Sequence, residues 1–368
     1  MLFCNIDLLD EKFETKRNQY VGVKDGRIAY IGASEPEEDF GERYDGRHRL
    51  LMPAFYNVHS HAPMTLLRGY AENLPLQRWL GEKVFPFEDQ IDDEAAYYGT
   101  LLAISEMLAS GTASFSDMYF FFGGMVPAIL ESGIKCNLSR GLTVFDDSDY
   151  TDLPAYRDNV RLRGEWNGAN NGRLIGDLCI HGEYTSNPKI VEAVAQHARE
   201  TGARIQIHLS ETQTEHEECK GRHGLTPAAY MEKHGIFDSP TTAAHCVWLE
   251  DEDFDILKRH GVTVACCPAS NLKLASGYAN VPKMLESGIN VALGTDGAAS
   301  NNNLNIMQDM YLFGVVATGL GEALVIYVLG LPLLSALKRV GIKNLTAAFG
   351  KDDSDVIVTD YNLFSHEY

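Results

Sequence analysis

Cysteine and positive charge are both scarce in this sequence. Seven cysteines are spread over 368 residues, and no two of them form a Cys-x-x-Cys pair. A sparse, odd number argues against a disulfide framework and favours a reducing compartment, so we expect a cytoplasmic protein. Lys and Arg number 31 against 51 Asp and Glu, which gives a net charge of −20. This acidity disfavours nucleic acid or an anionic membrane as the main partner, because both are recognised by basic surfaces.

We expect no export signal, and a long apolar run and several common motifs are absent from this sequence. Acidic Asp7, Asp10 and Glu11 stand where a signal peptide would be apolar. The most apolar stretch, residues 323–337, is short for a membrane span and predicts a buried helix with its boundary. Gly-x-Ser-x-Gly and P-loop motifs do not occur, which disfavours serine hydrolases and kinases. The composition, 45% hydrophobic and 22% charged, is that of a globular protein.

Short apolar segments alternate with helical stretches after residue 50. Eight of them predict strands, at residues 56–61, 112–118, 134–141, 174–183, 204–211, 241–246, 262–271 and 290–297. Helices are predicted between them, for example at residues 94–110, 190–201 and 252–260. Eight strands that alternate with helices over about 250 residues are typical of an α/β protein with a (β/α)8 TIM barrel, and an open doubly wound sheet is the alternative.

The first fifty residues predict a small β domain that precedes the barrel. Residues 20–31 predict two strands around Lys24-Asp25-Gly26, because Asp-Gly between alternating residues is typical of a hairpin. We therefore expect residues 1–50 to form part of a β domain and residues 51–345 to form the barrel.

Polar side chains cluster at the carboxyl ends of the predicted strands, where TIM barrels place their catalytic groups. His59 and His61 end the first strand, and because they are two residues apart their imidazoles face the same side. Alone, His-x-His is a weak signal, since ordinary core or surface histidines are as common. His208 and Asp296, which end later strands, supply further ligand types typical of a catalytic zinc site. The other polar residues at strand ends are Arg140, His181, Glu183, Glu211 and His245.

Several motifs occur in a fixed order along the barrel. The broader ones are LMPAFYNVHSH at residues 51–61, HLSE at 208–211, AHC at 244–246 and GTDG at 294–297. The narrower ones are HAPMTLLRG at residues 61–69, PASNLKL at 268–274 and DGAASNN at 296–302. The broader motifs resemble the amidohydrolase superfamily. The narrower ones resemble its methylthioadenosine/S-adenosylhomocysteine deaminases and their chlorohydrolase-like relatives.

The resemblance implies a metal site. It assigns His59, His61, His208 and Asp296 as ligands. Relatives with two metal ions use a carbamylated lysine at the end of the fourth strand, whereas residues 181–183 are His-Gly-Glu here. We therefore expect one metal ion, with Zn²⁺ first and Fe²⁺ or Mn²⁺ as alternatives.

The resemblance also implies a reaction, the hydrolytic deamination of an adenine ring. A metal ion lowers the pKa of bound water toward neutrality. Asp296 would take the proton of that water, His245 would orient and stabilise the hydroxide, and Glu211 would protonate the ring nitrogen beside C6. A second-sphere hydrogen bond to a ligand is the alternative role for Glu211. Ammonia leaves, and adenine becomes hypoxanthine.

The expected substrates are S-adenosylhomocysteine, 5′-methylthioadenosine or adenosine. Glu88 would accept the ribose hydroxyls, His181 would bond a purine nitrogen and Trp79 would line the entrance. Arg140 would bind the carboxylate of a homocysteine tail in bidentate fashion. The alternatives are an exposed acidic loop for Glu88, core positions for His181 and Trp79, and a structural ion pair for Arg140.

Other interpretations keep the fold and change the function. The same site could act on guanine, another aminated heterocycle or a halogenated triazine, or the protein could be a binding protein with a decayed site. We expect a small nucleoside as partner, with no nucleic acid or membrane, and a homo-oligomer is compatible with the resemblance.

After residue 310 the chain departs from the family pattern, and residues 355–360 predict a single strand returning to the small domain. Residues 346–368 are therefore expected to be a truncated completion of a β-sandwich that both termini form.

Overall fold

The structure is a computed structural model that describes residues 1–10 and 12–324, with side chains as far as residue 315. Apart from the end of the last helix, all elements below belong to one compact unit, Met1–Phe313. The predicted strand at residues 355–360, the whole of residues 346–368 and most of the apolar stretch 323–337 lie outside the described residues. Within the described range, no helix combines the length and apolarity needed to cross a membrane.

A five-stranded sheet forms the N-terminal part of the chain. Its strands are β1 Leu2–Leu9, β2 Thr15–Lys24, β3 Arg27–Gly32, β4 Arg43–Asp45 and β5 Leu50–Leu51. Side chains of β1 alternate between buried and half-buried positions, the period expected when one face of a strand covers a core. The predicted hairpin is present between β2 and β3, and its turn residues Asp25 and Gly26 both have positive φ angles, of 52° and 72°.

Eight parallel strands, paired in chain order, form the predicted TIM barrel. They are β6 Phe55–Ser60, β7 Thr112–Tyr119, β8 Lys135–Arg140, β9 Leu174–Ile180, β10 Ile205–Leu209, β11 Thr241–His245, β12 Thr263–Cys266 and β13 Asn290–Leu293. The first strand meets the chain just after the last strand through side chains as well as backbone. Asn57 Nδ2 donates to Thr295 Oγ1 at 2.7 Å, and the Asp296 N–H donates to the His59 carbonyl at 3.0 Å. The seam of the barrel therefore lies beside two of the predicted metal ligands.

Helices connect the strands and surround the barrel. The α-helices are α1 Leu76–Trp79, α2 Phe85–Glu88, α3 Asp93–Ala109, α4 Phe122–Ser132, α5 Pro154–Arg161, α6 Ala169–Gly172, α7 Pro188–Thr201, α8 Gln213–His223, α9 Pro227–Lys233, α10 Asp251–Arg259, α11 Pro268–Lys273, α12 Val281–Glu286, α13 Ala298–Asn301 and α14 Ile306–Leu324. Shorter 3-10 helices are Ala62–Leu67, Tyr150–Asp152, Glu183–Thr185 and Ile236–Asp238, and single π-helical turns are Leu80–Val84 and Leu162–Trp166.

Helix α7 shows how the local sequence fixes these boundaries. Asn187 Oδ1 accepts the N–H of Ile190 at 3.0 Å, and Pro188 occupies the first helical position. Gly202 ends the helix in the left-handed conformation, at φ 65°. The helix between these caps buries one apolar face, including Val194, against the barrel.

The core lies between the strands and the helices, and this arrangement decides which side chains face the barrel interior. Ile205 and Ile207 of β10 pack with Val194 of α7 and Leu257 of α10. Because successive residues of a strand point to opposite faces, His208 points away from this layer and into the barrel. The apolar alternation of β10 thus orients a predicted metal ligand.

Several predicted strands end earlier than expected, and residues 262–271 show a physical reason. Residues 262–271 are predicted as a single strand, but β12 ends at Cys266 and α11 begins at Pro268. Proline fixes φ near the helical value and suits the first position of a helix, so the chain turns there. The turn places Ser270 and Asn271 above the barrel mouth rather than within a strand.

Candidate metal centre

Five side chains from the carboxyl ends of the barrel strands meet in one buried region. One ligand atom from each of His59, His208, His245 and Asp296 lies within 4.8 Å of the others. His61 Nε2 lies 3.1 Å from Asp296 Oδ1 and 3.3 Å from His208 Nε2. The structure thus brings the four predicted ligands together, and His245 shares the same region.

Backbone carbonyls fix the orientation of two of these imidazoles. His61 Nδ1 lies 2.6 Å from the Met118 carbonyl oxygen, and His208 Nδ1 lies 2.7 Å from that of His181. A carbonyl oxygen only accepts, so each Nδ1 carries the hydrogen and donates it. In the neutral ring the lone pair is then on Nε2, which faces the centre of the cluster.

Asp296 divides its carboxylate oxygens between two sets of partners. Ser270 Oγ and Ser300 Oγ donate to Oδ2 at 2.6 and 2.8 Å. The other oxygen, Oδ1, lies 3.5 Å from His59 Nε2 and 3.1 Å from His61 Nε2. The two serine hydroxyls therefore orient Oδ1 toward the imidazoles.

The residues present fit a bound metal ion. His59 Nε2 is buried and has no hydrogen-bond partner in the part of the chain that the structure describes. A buried polar atom without a partner is costly unless a ligand satisfies it. Imidazole nitrogens together with one carboxylate are the donors that zinc and similar borderline metals prefer.

Burial and neighbouring charges set the protonation of the cluster. Burial lowers the pKa of His59 to about 4 and that of His208 well below its usual value, so both rings stay neutral. Burial would raise the pKa of Asp296, but the neighbouring His59 and His61 imidazoles hold it well below its usual range. Burial likewise opposes a charge on His61, yet the hydrogen bond and charge of Asp296 raise its pKa to about 9. An ionised Asp296 is the state that metal binding requires.

The strand ends turn sharply to aim these side chains. Ser210, His245 and Asp296 have φ angles of 47°, 71° and 61°, in the left-handed region that disfavours non-glycine residues by about 1–2 kcal/mol each. After β10 the turn is held by Glu215, whose carboxylate accepts the N–H groups of Ser210 and Glu211 at 2.9 and 2.7 Å. These hydrogen bonds offset the strain and direct Glu211 into the barrel mouth.

Glu211 and His245 face each other beside the metal ligands. Glu211 Oε2 lies 3.8 Å from His245 Nε2, and both side chains are buried. His245 Nδ1 lies 2.8 Å from Asn271 Oδ1, an acceptor that leaves Nε2 as the unprotonated atom of the neutral ring. Burial raises the pKa of Glu211, which favours the protonated acid.

The residues predicted to contact substrate divide between two adjoining cavities. Glu88, His181 and Trp79 line the inner cavity together with Glu211. Glu88 is 6% exposed rather than part of an open loop, and its Oε1 has no hydrogen-bond partner among the described residues. Burial raises its pKa to about 7. His181 Nδ1 lies 3.0 Å from Thr185 Oγ1.

Arg140 lines the outer cavity and forms an ion pair. Its Nε donates to Asp158 Oδ2 at 2.9 Å and its Nη1 to the Gly141 carbonyl at 2.6 Å. The guanidinium carbon lies 4.8 Å from the centre of the Phe120 ring. The structure thus shows the ion pair that was the alternative to a carboxylate site, and the predicted contact with substrate stays a prediction.

Comparison with known proteins identifies the family. The amidohydrolase family matches residues 50–322. The chain belongs to the amidohydrolase family. It is 45% identical over 294 residues to a 5-methylthioadenosine/S-adenosylhomocysteine deaminase of Syntrophomonas wolfei, covering 79% of this chain and 67% of that protein. It is 39% identical over 349 residues to the protein of the same name from Thermoanaerobacter pseudethanolicus, covering 94% of this chain and 80% of that one.

A solved structure of the same fold contains zinc. The crystal structure of an adenosine deaminase from Xanthomonas campestris with bound zinc aligns with this amidohydrolase at a TM-score of 0.75 and 27% identity. The alignment covers 87% of this chain and 74% of that one. Family membership, the deaminase relatives and the cluster of imidazoles with one carboxylate support a metal-dependent aminohydrolase.

Several residues of this amidohydrolase site were not predicted from the sequence. Tyr119 ends β7 in the inner cavity, and its hydroxyl has no hydrogen-bond partner within the described range. Its place at a strand end is the signal that could have found it. Ser270 and Ser300 contact Asp296 from separate helices, and Asp158 pairs with Arg140 from α5. Ser270 and Ser300 lie within the motifs at residues 268–274 and 296–302, which gave no role to either serine, and no local sequence pattern marks Asp158.

Proposed function

We propose that the protein is a metal-dependent hydrolytic deaminase of S-adenosylhomocysteine, 5′-methylthioadenosine or adenosine. It would convert the adenine ring to hypoxanthine and release ammonia. The observation that carries the proposal is the position of Glu211, a buried acid 3.8 Å from His245 and beside the imidazole–carboxylate cluster. The names of the two deaminase relatives support the choice of substrates.

His59, His61, His208 and Asp296 would hold one metal ion, with zinc as the first expectation and iron or manganese as alternatives. We assign His245 to the substrate side, because its Nε2 also faces Glu211. When bound, the metal ion supplies the Lewis acidity that makes water a nucleophile near neutral pH. The zinc in the adenosine deaminase structure supports the choice of metal.

The chain's own residues then move the protons. Asp296 Oδ1 is oriented by the serines on Oδ2 and would accept a proton from the attacking water. Burial raises the pKa of Glu211, which favours the protonated acid, and this acid would donate to the ring nitrogen beside C6. His245, oriented by Asn271, would stabilise the oxygen that attacks.

The inner cavity would hold the nucleoside. Glu88 Oε1 has no hydrogen-bond partner within the described range and would accept a ribose hydroxyl. His181 and Trp79 line the same cavity and would contact the purine and close the entrance. The outer cavity adjoins this one and would leave room for a 5′ substituent.

A Glu211→Gln variant tests the proposed acid. Glutamine keeps the size of the side chain and removes the proton that is donated, so we expect kcat for ammonia release to fall by about a thousandfold. Metal content should stay equal to that of the parent, because Glu211 is not a proposed ligand. The matched control is Glu217→Gln, an exposed position on α8. Ammonia release by Glu211→Gln at the parent rate would refute the role.

A further inference from the structure

The two cavities adjoin, and their shared lining indicates where a substrate's 5′ substituent would lie. Phe85, Glu88, Phe120 and Gly141 line both the inner and the outer cavity. A nucleoside with its purine near Glu211 and its ribose on Glu88 must send its 5′ substituent toward the outer cavity. The following inference rests on the proposed function, which fixes that orientation.

The outer cavity has an apolar lining and little positive charge. Large apolar side chains form much of it, among them Phe121, Leu142, Phe145 and Leu153. Among the lining residues that the structure describes, Arg140 is the one cation, and Glu88 and Asp89 are carboxylates. Its volume of about 560 Å³ admits a small or a large substituent, so size alone does not exclude the larger one.

Arg140 is already engaged by the protein. A guanidinium binds a carboxylate in bidentate fashion through Nε with Nη2, or through Nη1 with Nη2. Nε donates to Asp158 Oδ2, and Nη1 donates to the Gly141 carbonyl, so each pair has one member in use. The side chain of Arg140 is 16% exposed and that of Asp158 is 39% exposed, which places the pair at the edge of the cavity.

We propose that Asp158 determines the substrate class by holding Arg140 in this ion pair. The site would then prefer adenine nucleosides with an uncharged, apolar 5′ substituent, such as 5′-methylthioadenosine, over those with an amino-acid tail, such as S-adenosylhomocysteine. Glu88 and Asp89 offer partners for the ammonium of such a tail. Its carboxylate finds no free cation among the described lining residues, and a desolvated charge without a partner opposes binding.

The test compares the two nucleosides in the metal-loaded protein. We would measure kcat/KM for ammonia release and, by calorimetry, Kd for each compound with the parent and Asp158→Asn. In the parent, kcat/KM for 5′-methylthioadenosine should exceed that for S-adenosylhomocysteine by at least about tenfold. Asp158→Asn should raise kcat/KM for S-adenosylhomocysteine, relative to that for 5′-methylthioadenosine, by about tenfold, mainly by lowering its KM. Asp255→Asn, at an exposed position on α10, is the matched control and should leave the ratio unchanged.

A second variant separates the role of Arg140 from a general effect of Asp158. The double variant Arg140→Gln/Asp158→Asn should lose the gain for S-adenosylhomocysteine, because the freed cation is then absent. A parent that handles S-adenosylhomocysteine as well as 5′-methylthioadenosine overturns the inference. So does an unchanged ratio in a folded Asp158→Asn protein.

The proposed function can fail separately. Binding of both nucleosides without ammonia release would contradict the deaminase, while the ratio of the two Kd values would still decide the role of Asp158. If neither nucleoside binds, the inference is overturned together with the proposed function.

Discussion

Glu88 illustrates how burial gives one carboxyl group a task that an exposed one would not have. Its Oε1 has no hydrogen-bond partner among the described residues, and desolvation raises its pKa to about 7. Ribose hydroxyls are donors that favour the ionised form of an acceptor carboxylate. A bound nucleoside should therefore satisfy Glu88 and lower its pKa again.

The raised pKa of Glu88 predicts a pH dependence of stability. The usual pKa is 4.5, so between that value and about 7 the folded chain binds more protons than the unfolded chain, and stability falls as pH rises. Glu88→Gln has no carboxyl group at this position, so it should not lose stability in this way as pH rises. Relative to the parent, its free energy of unfolding should increase by up to about 3 kcal/mol between about pH 5 and about pH 8. Denaturant titrations at both pH values measure the change.

An exposed carboxyl provides the control for that measurement. Glu94→Gln, at the start of α3, should shift stability equally at both pH values. If the free energy of unfolding changes equally with pH in Glu88→Gln and in the parent, burial does not perturb the Glu88 carboxyl.

At the scale of elements, the turns after the strands position the chemistry. The turn after β10 carries strained Ser210 and is held by two hydrogen bonds to the Glu215 carboxylate. The turn into α11 begins at Pro268 and brings Asn271 to His245. A rigid barrel thus presents side chains whose direction depends on a few buried polar contacts.

Removing the Glu215 carboxylate should loosen this turn. Glu215→Ala leaves two buried N–H groups without an acceptor, so we expect the free energy of unfolding to fall by about 2–4 kcal/mol and kcat to fall with it. Glu215→Gln keeps one acceptor oxygen, so its free energy of unfolding and its kcat should fall less. Chemical denaturation and ammonia release report the two effects. If Glu215→Ala behaves like Glu217→Ala, an exposed change on the same helix, the turn does not depend on Glu215.

Sequence patterns predicted these elements better than their ends. Short apolar segments that alternate with helical stretches identified all eight barrel strands, because the strands of a parallel barrel are buried on both faces. Several predicted strands included the functional turn that follows them, as residues 262–271 did. The polar residues of the turn follow the apolar segment directly, so the predicted strand was extended through them. The resemblance pointed to His59, His61, His208 and Asp296, which the structure brings together. It gave no sign of Asp158, which meets Arg140 only because α5 folds back over β8.

At the scale of the whole molecule, the metal centre lies where the barrel closes. Asn57 and Thr295 join β6 to the chain that follows β13, and Asp296 donates its N–H to the His59 carbonyl. Two proposed ligands are therefore on opposite sides of the seam. A metal ion bound by both would cross-link the first and last strands.

Removal of the metal should consequently destabilise the entire barrel. A ligand that binds only the folded state adds about 2.7 kcal/mol at a hundredfold excess over its Kd. We expect chelation to lower the unfolding temperature by several degrees and added zinc to restore it. His59→Ala, which lacks one proposed ligand, should respond much less to the chelator. An unfolding temperature that chelation leaves unchanged would contradict a metal at the seam.

The most direct measurement is ammonia release from 5′-methylthioadenosine, S-adenosylhomocysteine, adenosine and guanine by protein of determined metal content. The account predicts turnover of adenine nucleosides with about one metal ion per chain. Full metal content with turnover of guanine alone, or with no turnover of any of the four, would contradict it.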